Sequence, residues 1–336
     1  MVPDLGGSSS AQLAAEDAGK VQEGCFGDCI GKKDKDVIRI GFLNVGGLSP
    51  QSNMFKEESL RIGIASYEFD VFGMAETNVD WRLSKESERL YTRTRDWWES
   101  LHLSLAHNCA TPPVDKKQWG GTALFSINKA AHRVIAKGID PLNLGRWCWS
   151  KYQGRNNCIL KVFSAYCPNP PSGPLSVFAQ QRSFLLTIKD DRNPRVAFVK
   201  DLCDAIRASL AEQEQVILLL DGNSDMRTSF LATALRECSL TEPILNRYGS
   251  KGPSTHRRNQ TGTPIDGVWI SPGLSILAGG YLDYDQIIPG ADHRCLWIEV
   301  SMVNAFGHTM PAIVRPQARR LHCRDPRIVA NYVKKI

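Results

Sequence analysis

The sequence predicts an α/β fold, and three observations carry the prediction. Val216 to Leu220 are five consecutive aliphatic residues without polar alternation, the pattern of a strand covered on both faces in the middle of a sheet. Several other aliphatic or β-branched runs end in a polar side chain beside glycine or proline, as strands do on leaving a sheet. The segments between them carry apolar residues at helical spacing, notably Phe198, Leu202, Ile206 and Leu210.

Composition sets the frame. With 336 residues, 42% hydrophobic and 23% charged, the chain can bury a large core. No internal repeat and no second core is evident, so one domain is expected over 37–305, between a disordered leader at 1–36 and a basic tail at 306–336. The leader is rich in Gly, Ser, Ala and charge and has little to offset its ordering entropy. A net charge of +6 suits a polyanionic partner without establishing one. Ten cysteines are scattered, some inside apolar runs (Cys158, Cys295). With no secretory apolar segment, they fit reduced thiols in an intracellular protein. Cys25 and Cys29 lack the second pair a zinc site needs. No apolar run reaches the roughly 18 residues of a membrane span.

The elements follow in order. Val37 to Val45 reads as a strand delivering Asn44 ahead of Gly46-Gly47. Glu57 to Tyr67 has helical spacing. Asp70 to Met74 is a second buried strand, and it is followed at once by Glu76. A carboxylate closing an apolar strand is costly unless paired or bound to metal. Arg82 to His102, with Leu90, Trp97 and Trp98 interleaved among charges, is expected to be an outer helix, and Asn108 to Trp119 a polar loop. Gly120 to Ile127 reads as a turn into a strand. Two strands flank Gln153 to Asn157, and the second runs from Ile159 to Tyr166 before the breaker run Cys167 to Pro171.

Gln180 to Gln213 is helical with an interruption at Lys189 to Arg195. The central strand then stops at Asp221-Gly222-Asn223. This is ordinary turn chemistry, and it is also where open α/β sheets build ligand crevices. Ser229 to Cys238 is a short helix. The basic loop Ser250 to Pro264 contains His256, Arg257 and Arg258, residues suited either to solvent or to phosphate contact. Asp266 opens the strand that runs to Ile270, and Asp292-His293 precedes the last strand, Cys295 to Val303.

Asn44, Glu76, Tyr166, Asp221 with Asn223, Asp266 and Asp292-His293, in this order, resemble the endonuclease/exonuclease/phosphatase superfamily over about residues 37–303. Within it the chain looks like the endonuclease domain of non-LTR retrotransposons. FDVFGMAETN is similar to that group's strand and metal-binding glutamate, WGGTALF to its glycine-led strand, and ARRLHCRDPRIVANYVKK to the basic segment preceding a reverse transcriptase. On that likeness the chain carries no polymerase of its own. One departure is Leu220, where the family usually has glycine before the aspartate.

The resemblance implies a deoxyribonuclease I-like, four-layered α/β sandwich of two mainly antiparallel β-sheets flanked by helices. It also implies Mg²⁺, with Mn²⁺ as a substitute, held by Glu76 with Asn44 and Asp292. Asp221 would orient or deprotonate the attacking water, and Asn223 would hold that water or the phosphate. His293, fixed by Asp266, would contact a phosphate oxygen, with Tyr166 as a further donor and Arg257 and Arg258 as substrate contacts. The expected function is DNA nicking by an intracellular monomer, with the nucleus as one location, and with no membrane partner. A phosphomonoesterase acting on a phospholipid or nucleotide and a decayed nucleic-acid-binding remnant remain as alternatives.

Overall fold

The aliphatic runs become strands buried on both faces. In a computed structural model, residues 24–48, 55–110, 117–170, 173–249, 252–257, 262–308, 329–330 and 333–334 are described. Their strands are β1 (Phe26–Gly27), β2 (Val37–Asn44), β3 (Val71–Ala75), β4 (Leu101–Ala106), β5 (Thr122–Ile127), β6 (Val134–Ile139), β7 (Trp147–Gln153), β8 (Ile159–Tyr166), β9 (Gln215–Asp221), β10 (Asp266–Ile270), β11 (Ile276–Tyr281) and β12 (Leu296–Ser301). They form a seven-stranded sheet, β1-β11-β12-β2-β3-β5-β4, and a five-stranded sheet, β10-β9-β8-β7-β6. Only β2–β3 and β8–β9 are parallel, and the other neighbours are antiparallel.

Strand β9 shows why an unalternated run is needed. Ile217 and Leu219 pack between the sheets with Phe42, Leu124 and Val162. Val216, Leu218 and Leu220 point the other way, onto Phe198, Leu202 and Leu231. Burying each such side chain contributes about 1.5–3 kcal/mol. The helices Pro194–Ala211 and Phe230–Glu237 cover that outer face. Asn193 and Ser229 cap them, accepting from the backbone N–H groups of Arg195 and Ala232. On the far side, Leu60 and Ile64 of the helix Phe55–Ser66 pack on Leu43, Phe72 and Met74. The result is four layers of helix, sheet, sheet and helix, as the resemblance implied.

Two expectations need correction. Arg82 to His102 is not one helix: it contains 3₁₀ turns at Trp81–Leu83 and Glu86–Glu88 and a five-residue helix, Leu90–Thr94, and then enters β4 at Leu101. Trp97 and Trp98 instead pack edge-on against Phe125, with ring centroids at 6.1 and 5.9 Å. Of residues 24–36, assigned to the leader, Phe26 and Gly27 form an edge strand of the larger sheet. Phe26 of β1 pairs with Tyr281, and its ring lies 6.2 Å from Tyr248 and 6.3 Å from Tyr281. Lys33 Nζ lies 2.7 Å from Asp70. One aromatic anchor is enough to hold a segment whose composition is otherwise polar. The first 23 residues and most of the basic tail, including Arg315, Arg319 and Arg320, lie outside the described residues. Among the described residues no helix is long and apolar enough to cross a membrane.

Candidate active site

Both parallel pairs bring their C-terminal ends to one end of the sandwich. Asn44 ends β2 opposite Ala75, the residue before Glu76, and Tyr166 ends β8 opposite Asp221. An antiparallel strand begins where its neighbour ends, so Asp266 opens β10 directly across from Asp221. Asp292 and His293 arrive on the approach to β12. Strand direction alone therefore gathers side chains from across 250 residues of sequence.

The two sheets are joined at this end. Asn44 Nδ2 donates to Asp221 Oδ2 at 2.8 Å, and Asn44 Oδ1 accepts from the Gly46 N–H at 2.9 Å. The Asn223 N–H donates to Asp221 Oδ1 at 3.0 Å, while its Nδ2 donates to the Cys167 carbonyl at 2.9 Å. Asn223 has φ +46, a conformation asparagine tolerates better than most residues. Behind these lies the buried pair: His293 Nδ1 donates to Asp266 Oδ2 at 2.9 Å, with the two residues 6% and 1% exposed.

Burial alone would keep the His293 imidazole neutral. The adjacent Asp266 carboxylate overrides it and, with Asp221 and Asp292, lifts His293 to about 10. Asp221 goes up to about 8, chiefly through burial and then through repulsion by Asp266. Burial and then Glu76 also push the Tyr166 phenol well above its usual value.

Glu76 sits at φ +52, a strained backbone for a side chain of its size. Neighbours hold it there. Its carbonyl accepts from the Gly47 N–H at 2.7 Å, and two residues on, Asn78 N–H donates to the Gly120 carbonyl while Asn78 Oδ1 accepts from the Gly120 N–H at 2.7 Å. Lys56 Nζ binds the carbonyls of Val45 and Gly47 at 2.8 and 2.9 Å, fixing the loop after Asn44.

A cleft of about 300 Å³ is lined by Asn44, Glu76, Asn169, Asn223, His256, Asp292 and His293, among others. Asp221 and Asp266 are buried and meet it through Asn44 and His293. Tyr166 lines the adjoining pocket, which shares Glu76 with the cleft. Arg257 does not line the cleft: its guanidinium pairs with Asp285 and lies 4.9 Å from the Tyr284 ring. Arg258 lies outside the described residues. Two other residues take their place, His256 of the same basic loop and Asn169, which the sequence did not single out. His256 bridges to His293 with ring centroids 4.8 Å apart, and its Nε2 lies 3.6 Å from Asp292 Oδ2. Asn169 leaves the breaker run after Tyr166, and only its position just past a strand exit could have marked it.

The donor chemistry suits a hard divalent cation. Asn44, Glu76 and Asp292 all offer oxygen, the ligand type of Mg²⁺ and Mn²⁺. Two other trios bring their ligand atoms within 4.8 Å of one another, His256–Asp292–His293 and Asp221–Asp266–His293. Both rely on His293, whose raised affinity for a proton makes it a poor metal ligand and a good partner for an anion. Glu76 belongs to neither trio, but Mg²⁺ takes few protein carboxylates and keeps its waters.

No protein-family model and no curated protein matches the sequence. Solved structures do match. The catalytic domain of APE2 from Xenopus laevis aligns at 15% identity with TM-score 0.57, covering 79% of this chain and 92% of that one. The AP endonuclease LMAP from Leishmania major aligns at 13% with TM-score 0.56, covering 88% and 99%. A 3′ phosphatase from Neisseria bound to a product DNA hairpin aligns at 14% with TM-score 0.53, covering 79% and 99%. At such identities the likeness is one of fold, and the fold is that of the endonuclease/exonuclease/phosphatase enzymes.

Proposed function

We propose that this chain hydrolyses phosphodiester bonds of nucleic acid with the help of a divalent metal, and that it nicks the DNA backbone. One observation carries the reading: a single end of the sandwich holds Glu76 and Asp292 at an open cleft, with the Asn44–Asp221 and Asp266–His293 hydrogen bonds directly behind it. Mg²⁺ or Mn²⁺ bound there would neutralise phosphate charge and lower the proton affinity of water. Glu76 would be the principal ligand, supported by Asp292 and Asn44.

Protonated His293, held by Asp266, donates to a non-bridging phosphate oxygen, where charge builds in the transition state. Asp221 is wholly buried and works through the amides it orients. Asn44 and Asn223 hold the attacking water, and Asp221 orients it through them. Tyr166, beside Glu76, is a further donor.

DNA as substrate is supported by the net charge of +6, by the retrotransposon-like segments, and by what two fold neighbours are named for, an AP endonuclease and a phosphatase with a DNA hairpin. All the proposed groups come from one chain, so a monomer suffices. The test is relaxation of supercoiled plasmid by the purified full chain with Mg²⁺, with EDTA, Glu76→Ala and His293→Ala as controls. Nicking that EDTA and both substitutions abolish supports the reading. Nicking that survives both substitutions, or no hydrolysis of any phosphodiester, overturns it.

A further inference from the structure

Next to the catalytic cleft lies a second pocket of different character. It is about 420 Å³ and shares Glu76 and Asn169 with the cleft, but its other walls are largely apolar: Trp119, Leu175, Val177 and Phe178. Trp119 and Leu175 are 40% and 56% exposed, an unusual exposure for side chains of this size so close together. The Lys117 ammonium lies 4.1 Å from the centre of the Trp119 ring. The pocket thus offers an aromatic plane with a cation beside it, opening directly onto the proposed metal-binding glutamate.

Trp119 is held at a fixed place relative to Glu76. Its carbonyl accepts from Asn108 Nδ2 at 3.3 Å, and the next residue, Gly120, is bonded at both N–H and C=O to Asn78, two positions after Glu76. Gly120 and Gly121 have φ +88 and +89, a conformation that suits glycine. At Gly121 an added Cβ would lie 2.6 Å from Thr77 Oγ1. The double glycine therefore presses the Trp119 loop against the Glu76 loop, fixing the pocket to the cleft.

We infer that this pocket is a subsite for one unpaired nucleobase, that of a nucleotide flanking the scissile phosphate, with the base stacked among Trp119, Leu175 and Phe178 and a neighbouring phosphate near Lys117. The inference rests on the nucleic-acid reading above and narrows it: the substrate is non-duplex at that position. A base has an aromatic face for the indole and its strand has charge for the lysine, and continuity with the cleft sets the distance to the scissile bond. An alkyl chain would use the apolar wall but leave the lysine without a counter-charge.

The full chain and its Trp119→Ala and Trp119→Phe variants are compared with Mg²⁺ on three substrates. These are bis(p-nitrophenyl) phosphate, an oligonucleotide with an unpaired nucleotide beside the cleavage site, and the same strand with that nucleotide abasic. Stacking of one base is worth roughly 5- to 150-fold. Trp119→Ala should lose about that much kcat/KM on the unpaired base, Trp119→Phe should recover most of it, and hydrolysis of the small diester should be unchanged. On the abasic strand wild type and Trp119→Ala should be equal.

An equal loss on all three substrates, or indifference to the missing base, overturns the subsite while leaving the hydrolase reading standing. If wild type cleaves none of them, the hydrolase reading fails and fluorescence anisotropy decides the subsite. Weaker binding of the abasic strand by wild type but not by Trp119→Ala supports it, and equal binding removes it. Tighter binding of vesicles of neutral phospholipid than of the oligonucleotide would assign the pocket to an acyl chain instead.

Discussion

Asp266→Asn separates the charge of the buried pair from its shape. The carboxamide oxygen can still accept from His293 Nδ1, but the negative charge that opposes the effect of burial on His293 is gone. Raising His293 from 6.5 to about 10 corresponds at most to about 4–5 kcal/mol, at about 1.4 kcal/mol per pH unit. Removing Asp266 also relieves its repulsion of Asp221, which returns part of that. We expect a net loss of about 2–3 kcal/mol at pH 7, below the 3–5 kcal/mol typical when a buried pair loses one partner outright.

The sign follows from proton linkage. A folded-state affinity raised above the unfolded one stabilises fully below about pH 6.5, and the effect is lost as pH rises through about 10. The stability gap between wild type and variant, read by urea unfolding, should therefore narrow toward pH 10. In the variant, burial should prevail, and the His293 ring proton followed by NMR should titrate below neutrality. A variant whose His293 still titrates near 10, or whose stability gap stays constant with pH, would refute the account of the pair.

Three further outcomes are expected. Glu76→Gln should lower metal-dependent turnover about 10²–10³-fold, by analogy with loss of one charge-stabilising group, and should weaken Mn²⁺ binding followed by electron paramagnetic resonance while the melting temperature holds. Asp221 keeps its proton to about pH 8 when folded but to about 4 when unfolded, so its burial costs stability increasingly as pH rises from about 4 to about 8. Asp221→Asn should therefore match wild type near pH 4 and exceed it in melting temperature at pH 8, while turnover falls, because a carboxamide oxygen can accept from only one of the two groups, Asn44 Nδ2 and the Asn223 N–H, that the carboxylate orients. Gly121→Ala must place a Cβ at φ +89 against Thr77 and the Ala106 carbonyl. A loss of about 1–3 kcal/mol should appear in thermal unfolding, with turnover falling too because Thr77 adjoins Glu76.

The strands that bear the proposed chemistry were readable because the sheet buries them on both faces. Val216 to Leu220 admits no other pattern, and Glu76 and Asp221 are conspicuous as charges closing apolar runs. Edge strands left weaker traces. Val134–Ile139 alternates between intermediate and exposed positions, too faint a signal against its polar surroundings. Leu101–Ala106 does alternate, but its first two residues close a charged, tryptophan-bearing stretch that reads as helix to His102.

Ile276–Tyr281 contains Gly279-Gly280, and glycine weakens the signature of a strand. In the structure these glycines are strand residues because the backbone of Phe26 approaches too closely for a side chain: a Cβ on Gly280 would lie 2.3 Å from the Phe26 carbonyl. The basic loop showed His256 and Arg257 alike as phosphate contacts but not which of them faces the cleft, and Asn169 was hidden altogether. Each sits in a loop rich in turn formers, where side-chain direction depends on contacts with distant strands.

The bond from Asn44 to Asp221 crosses from one sheet to the other, and each sheet brings a parallel strand pair to the junction. Neither half of the chain holds a complete set of groups, since residues up to Glu76 and residues from Tyr166 onward supply different members. Chemistry is thus a property of the docked sandwich rather than of either sheet. A collapsed chain with native strands but slipped layers would leave these groups apart.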